Sequence, residues 1–466
     1  MADGTSRISR SGQPILHFSG ISTWADHMVV PQECCQVIDS AVPYEVAAIV
    51  GCAVATGVGA ALHRGNISPG DKVDAMVSTD ASHVDARVVR LVHGDPNPEG
   101  PGVVEEDALW PGVGVQTGVQ QALLTGSWVE LPLNPNGLQS PTLAFWVYWT
   151  GDSPDAQTLA FLGHQGTEVL RLVIRPDSHL EATVGESGET TVLETPTPIH
   201  RRRWYFVGIS ADARTGQLGI FCAERGTSVF SVKRTRAGWN GIPRGCDTLL
   251  LGASLDNQTI QNSYSGKIGG IRIFEGPLDD IDLSDLKQGA EPEGGRCEGA
   301  WDLARQTTGT RVVDVSGQGR HGQIHNGAAR AVTGPEWHGT DTTIGSGPRL
   351  YDAVHLHDDD LADARWLPTF TFSVPPDARS GIYAIRLSTQ EEQVALSLVV
   401  GPPPQPSTPV LFLVPTLTWL AYANFDSGDK HRIGLSLYDS HSDGSPNSVS
   451  YTHLRAHETE AALVCR

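Results

Sequence analysis

A chain of 466 residues with 53 Asp and Glu against 33 Lys and Arg carries a formal net charge of −20. Nucleic acid and anionic membrane surfaces are bound by clustered basic side chains, so this balance argues against both as partners. Glycine at 51 and proline at 30, with only 18% charged residues, point to many turns and short strands: a mainly β protein of more than one domain.

The opening MADGTSRISRSGQP has no apolar leader segment, and no apolar run reaches membrane-spanning length. A soluble protein is expected. Seven cysteines without a C-x-x-C spacing, two of them adjacent at Cys34 and Cys35, fit reduced thiols and a cytoplasmic address. Residues 24–30 (WADHMVV) read as β-rich and residues 44–50 (YEVAAIV) as helix-like. The stretch GCAVATGVGAALHRGNISPGDKV then suggests the approach to a dinucleotide-binding unit, but no G-x-G-x-x-G follows Val73.

The words GQPILHFSGISTWADHMVV, VIDSAVPYEVAAIVGCAVATGVGAAL and ISPGDKV resemble zinc-dependent alcohol dehydrogenases of the medium-chain type. That resemblance implies a catalytic-zinc ligand position at Cys52. A catalytic zinc takes about three protein ligands, and the family's other ligands have no counterpart here, nor does its coenzyme domain. The other reading of Cys52 is a small buried thiol. Residues 1–72 are therefore expected to be a dehydrogenase-like fragment without dehydrogenase activity, disordered or aggregation-prone by itself.

From residue 73 the pattern changes. Residues 73–112 form a β-rich lead-in, with a strand expected over ARVVRLV (86–92) and a turn over HGDPNP (93–98). Across 113–290 come SWVELPL, LAFWVYWT, LAFLGHQG, VLRLVIRP, LEATVGE, WYFVGISAD, LGIFCAE, TLLLGAS and KIGGIRIFEGPLD, short apolar or alternating runs punctuated by Gly, Pro and Asp. Their order resembles a laminin-G or concanavalin-like jelly-roll sandwich, a fold that often binds sugars. The aromatic run Phe145 to Trp149 is a candidate stacking platform, although alternation directs part of it into the inter-sheet core.

Residues 291–400 read as a β-rich connecting region ending in a small β unit, where Phe370, Phe372 and Val374 alternate. GPPPQPSTP is a semi-rigid spacer, and VLFLV (410–414) is the kind of apolar run that opens an α/β domain. WDLARQTTGTRVVDVSGQGRHGQIHNGAARAVTGPEWHG, DDLADARWLPTFTFSVPPDARSGIYAIRLST and RVVRLVHGDPNPEGPG are similar to the large (beta) subunit of N,N-dimethylformamidase and its relatives, over most of 73–447.

This resemblance implies that residues 401–447 begin an α/β, glutamine-amidotransferase-like catalytic domain with a mononuclear iron bound by two tyrosines and a glutamate. By motif position the tyrosines are Tyr422 and Tyr438, and no glutamate counterpart is found. His441 and Asp443 are candidates for supporting or proton-transfer roles. The implied substrate is a small amide, cleaved to carboxylate and amine, with a small partner subunit and oligomer as in dimethylformamidase. Residues 448–466 contain an inviting His453, His457 and Glu458 but resemble translated sequencing-adapter read-through.

The expectation is thus a truncated, N-terminally chimeric relative, inactive by itself. A glycan-binding sandwich without catalysis is the alternative. A zinc dehydrogenase fragment is a third reading.

Overall fold

The computed structural model describes residues 8–10, 13–15, 67–94, 99–151, 153–164, 167–186, 189–237, 239, 241–256, 259–339, 347–402 and 441–445. The chain divides into two units, residues 1–55 and 56–466. In the first, the described residues form one antiparallel hairpin, Ile8–Arg10 against Gln13–Ile15. Cys52 and the expected 44–50 helix lie outside the described residues.

Most of the second unit is a β-sandwich built from a single hydrogen-bonded ladder of 15 strands. Pro141–Trp149 lies centrally between Trp204–Asp212 and Gly266–Glu275, with Phe145 opposite Val207 and Val147 opposite Ile268. Side chains alternate across a strand. Leu143, Phe145, Val147 and Trp149 accordingly enter the inter-sheet core, where they join Val129, Leu131, Leu159, Leu172, Leu249 and Leu251 of the facing strands.

Arg296–Asp302, Arg311–Asp314 and Gly322–His325 carry the ladder from one sheet to the other. Trp301 fills this corner, its indole N–H donating to the Arg320 carbonyl at 2.8 Å. Beside it the Arg330 guanidinium donates to the carbonyls of Leu303, Arg305, Gln306, Gly309 and Arg311, gathering one loop around a single side chain.

The outer face of the central strands is covered as well. Ala144, Phe206, Phe221 and Phe274 pack beneath Leu283 and Leu286 of the helix Asp280–Lys287. That helix starts at a capping box, in which the Asp279 carboxylate accepts from the Ile281 and Asp282 amides and Asp282 accepts from the Asp279 amide. On the outer face of the aromatic run Trp146 and Tyr148 are half-buried, Trp146 packing on Phe206 and Tyr148 on Trp204.

A second, smaller β body joins segments distant in sequence. Gly381–Ser388 pairs with Gln393–Val400 and with His83–Gly94, which in turn pairs with Val103–Ala108 and Gly114–Thr117. Phe370–Ser373 pairs with Lys72–Ala75. Trp110, Phe372, Val374, Tyr383 and Ile385 form its core. The sandwich is inserted between its two halves.

Cys222, Cys246 and Cys297 carry free thiols. Burial, with a neighbouring carboxylate, pushes Cys222 and Cys246 up to about 12, so both stay protonated. No helix among the described residues is long and apolar enough to cross a membrane.

Candidate functional site

The strand Ala353–Leu356 pairs with the start of Gly266–Glu275, placing Val354 opposite Ile268 and His355 opposite Lys267. Val354 and Leu356 are fully buried in the sandwich core, so the alternation sends His355 and then His357 to the other side. The chain turns immediately afterwards through Asp358, Asp359 and Asp360.

Each of these three carboxylates holds a different set of neighbours. Asp358 accepts from the hydroxyls of Ser265 and Ser442. Asp359 accepts from His441 Nδ1 at 2.9 Å and from the Ser442 amide at 2.7 Å. Asp360 is buried and accepts from Ser127 Oγ at 2.6 Å, the His357 amide at 3.2 Å and His357 Nδ1 at 3.3 Å. Gly126, at φ +97°, brings its backbone against this turn, where a Cβ would sit 2.3 Å from Ser263 Oγ.

Residues 441–445 arrive from much later in the chain as one tight turn. His441 N donates to Ser445 O and Gly444 N to His441 O, with Gly444 in the left-handed region. The turn stacks the His441 ring on that of His357, 3.7 Å between centroids and 2° between planes. It also delivers Asp443 beside both strand histidines, with Oδ2 at 3.4 Å from His355 Nε2 and 3.9 Å from His357 Nε2.

The electrostatics separate the members. Burial keeps His355 neutral, lowering it to about 4 against the pull of Asp443. Burial also opposes charge on His441, yet its hydrogen bond to Asp359 and the charges of Asp360, Asp359 and Asp443 outweigh it and raise that ring. Burial acts against ionised Asp443 too, but His355 and the Ser445 and Thr150 hydroxyls hold its carboxyl well below the usual range. Asp360 is similarly lowered, burial being overcome by His357, His441 and Ser127. The result is a buried set of anions and imidazoles at fixed spacing, able to hold a cation or position a proton.

Of the residues singled out from sequence, His441 and Asp443 meet here; Cys52, Tyr422 and Tyr438 lie outside the described residues. Sequence reasoning missed His355, His357 and Asp358 to Asp360. The available signal was His-x-His on a strand followed by three aspartates.

His355, His357, Asp358, Asp359, Asp360, His441 and Asp443 fall within residues 328–461, which match the family profile of the N,N-dimethylformamidase beta subunit-like C-terminal region. Residues 124–284 match the concanavalin A-like lectin/glucanases superfamily. The N,N-dimethylformamidase beta subunit of an Alcaligenes species is 28% identical across 84% of this chain and 58% of its own length. Over most of its length this chain is similar to the N,N-dimethylformamidase beta subunits.

The beta subunit from Paracoccus aminophilus matches with the same identity and coverage. The chain thus spans somewhat over half the length of these curated relatives. A separate similarity, 38% over 73 residues, links 16% of the chain to 20% of an S-(hydroxymethyl)glutathione dehydrogenase of Escherichia coli.

Proposed function

We propose that this chain belongs to an amide hydrolase that cleaves a small N-substituted amide to a carboxylate and an amine, with a mononuclear iron. The observation carrying this reading is the docking of residues 441–445, which follow Tyr438 closely in sequence, into the buried His/Asp cluster of the sandwich. The similarity to dimethylformamidase beta subunits supplies the reaction class.

Tyr422 and Tyr438 lie outside the described residues, so the fit to iron rests on donor chemistry alone. Phenolates from Tyr422 and Tyr438 with a further carboxylate are hard anionic donors suited to ferric iron, which when bound would polarise the amide carbonyl and acidify a water. The chain's own described residues contribute position. Asp359 fixes the His441 ring, Asp358 and Asp359 hold Ser442, and the turn so formed begins three residues after Tyr438. The name "beta subunit" of the relatives supports a partner subunit, and the free thiols support a cytoplasmic address.

Release of dimethylamine from N,N-dimethylformamide by the full-length native gene product is the test, with Y422F and Y438F alongside. Iron-dependent release that both variants abolish is expected. Full activity in both variants overturns the ligand assignment, and absence of amide hydrolysis in an iron-replete preparation overturns the reaction class.

A further inference from the structure

We propose that His355, His357 and Asp443 form a second metal site, distinct from the tyrosinate iron, that takes one divalent transition-metal ion such as zinc and clips residues 441–445 onto the sandwich. His355 Nε2 lies 3.4 Å and His357 Nε2 3.9 Å from Asp443 Oδ2, and the three donor atoms sit within 4.8 Å of one another. Tetrahedral zinc with bonds of about 2.0–2.1 Å requires donors roughly 3.4 Å apart. Small side-chain movements close the difference.

An independent observation points to the same occupant. Among the described residues no donor meets Asp443 Oδ2 in hydrogen-bond geometry, His355 Nε2 approaching only to 3.4 Å, although the side chain is 0% exposed. A sealed carboxylate oxygen without a well-formed hydrogen bond is costly, and this one faces two imidazole nitrogens at ion-pair range.

The imidazoles are set up to receive a cation. Asp360 Oδ2 accepts from His357 Nδ1–H, which leaves the Nε2 lone pair directed at the site, the arrangement that orients and strengthens histidine ligands. Ser445 Oγ lies 2.6 Å from Asp443 Oδ1 and 3.1 Å from His357 Nε2, yet its single proton serves only one of them. A cation beside His357 Nε2 removes the conflict, with the Ser445 oxygen or a water completing four donors. It also offsets the charge of Asp358, Asp359, Asp360 and Asp443 gathered around one turn. Two imidazoles with one carboxylate favour zinc or a neighbouring first-row ion over calcium or magnesium.

The His357, Asp360 and His441 grouping shares His357 with this site, and its members are already hydrogen-bonded to one another or to Asp359. Asp177, His179 and Glu194 are also close together, but Arg175 already pairs with Asp177, Glu181 and Glu194 there.

The experiment loads the full chain with zinc, removes the excess, and measures bound metal and apparent affinity. One zinc per chain is expected, with at least a tenfold affinity loss in H355A and in D443N. D360N, which leaves the three proposed ligands in place but weakens the support of His357, is expected to lose about 10–100-fold. Y422F and Y438F should bind zinc as the wild type does, so failure of the iron reading and failure of this one are separable.

Absence of zinc from folded wild-type chain overturns the proposal, as does unchanged affinity in H355A and D443N, or zinc loss in Y438F. Should the variants fail to fold, zinc-edge absorption on wild type decides. Two imidazoles and oxygen donors support the site; any other ligand set refutes it.

Discussion

Asp352 sits immediately before the strand that carries His355, and its carboxyl is displaced from the ordinary range. Burial raises it from 3.8 to about 6, only partly countered by the hydrogen bond from the Leu303 amide. Its Oδ1 accepts that bond at 2.7 Å. A folded-state value above the unfolded one means that the folded protein binds the proton more tightly. The penalty is therefore complete above about pH 6, shrinks as pH falls through 6 toward 3.8, and is absent below that. The displacement of about two units corresponds to at most ~3 kcal/mol.

D352N keeps an acceptor oxygen for Leu303 and removes the charge. It should stabilise the chain by ~1–3 kcal/mol near pH 7.5 and by close to nothing near pH 4. Urea unfolding followed by tryptophan fluorescence at both values is the assay. Destabilisation near pH 7.5, or a gain of equal size at the two values, would refute the reasoning.

Three further substitutions probe the framework by the same unfolding assay. Phe145 is fully buried between the sheets, so F145A should cost ~3–5 kcal/mol and F145L much less. R330M leaves five carbonyls of the 303–311 loop without their common donor, and a loss on the order of 3 kcal/mol is expected. D279A removes the cap of the helix over the outer face, worth ~1 kcal/mol, and D279N should recover most of it.

The sandwich is legible in the sequence because its strands alternate or run apolar between Gly and Pro turns, and because the burial of one face is a local property. Phe145, Val147 and Trp149 show this: their spacing alone sends them to the core they occupy. The pairing of Lys72–Ala75 with Phe370–Ser373 leaves no such local mark, since either strand reads equally well as an isolated β segment. The site was half-legible for the same reason. His441 and Asp443 stand out through their proximity to Tyr438, whereas His355 and His357 lie more than 80 residues upstream and become neighbours only through the fold. Val354 and Leu356, alternating with the two histidines, carried the information that both rings share one side of a strand.

Insertion of the sandwich between the two halves of the smaller body imposes an order on biosynthesis. Ala75 emerges from the ribosome about 300 residues before its partner Phe370, a delay of roughly 15–60 s at ordinary elongation rates. Through that interval Val73, Ala75, Val84, Ala86 and Val88, all destined for the small core, lack Phe370, Phe372, Val374, Tyr383 and Ile385. The sandwich has every one of its strands available sooner, once residue 356 is made. Synthesis speed and chaperone supply should therefore govern the yield of the smaller body, while the sandwich matures independently of both.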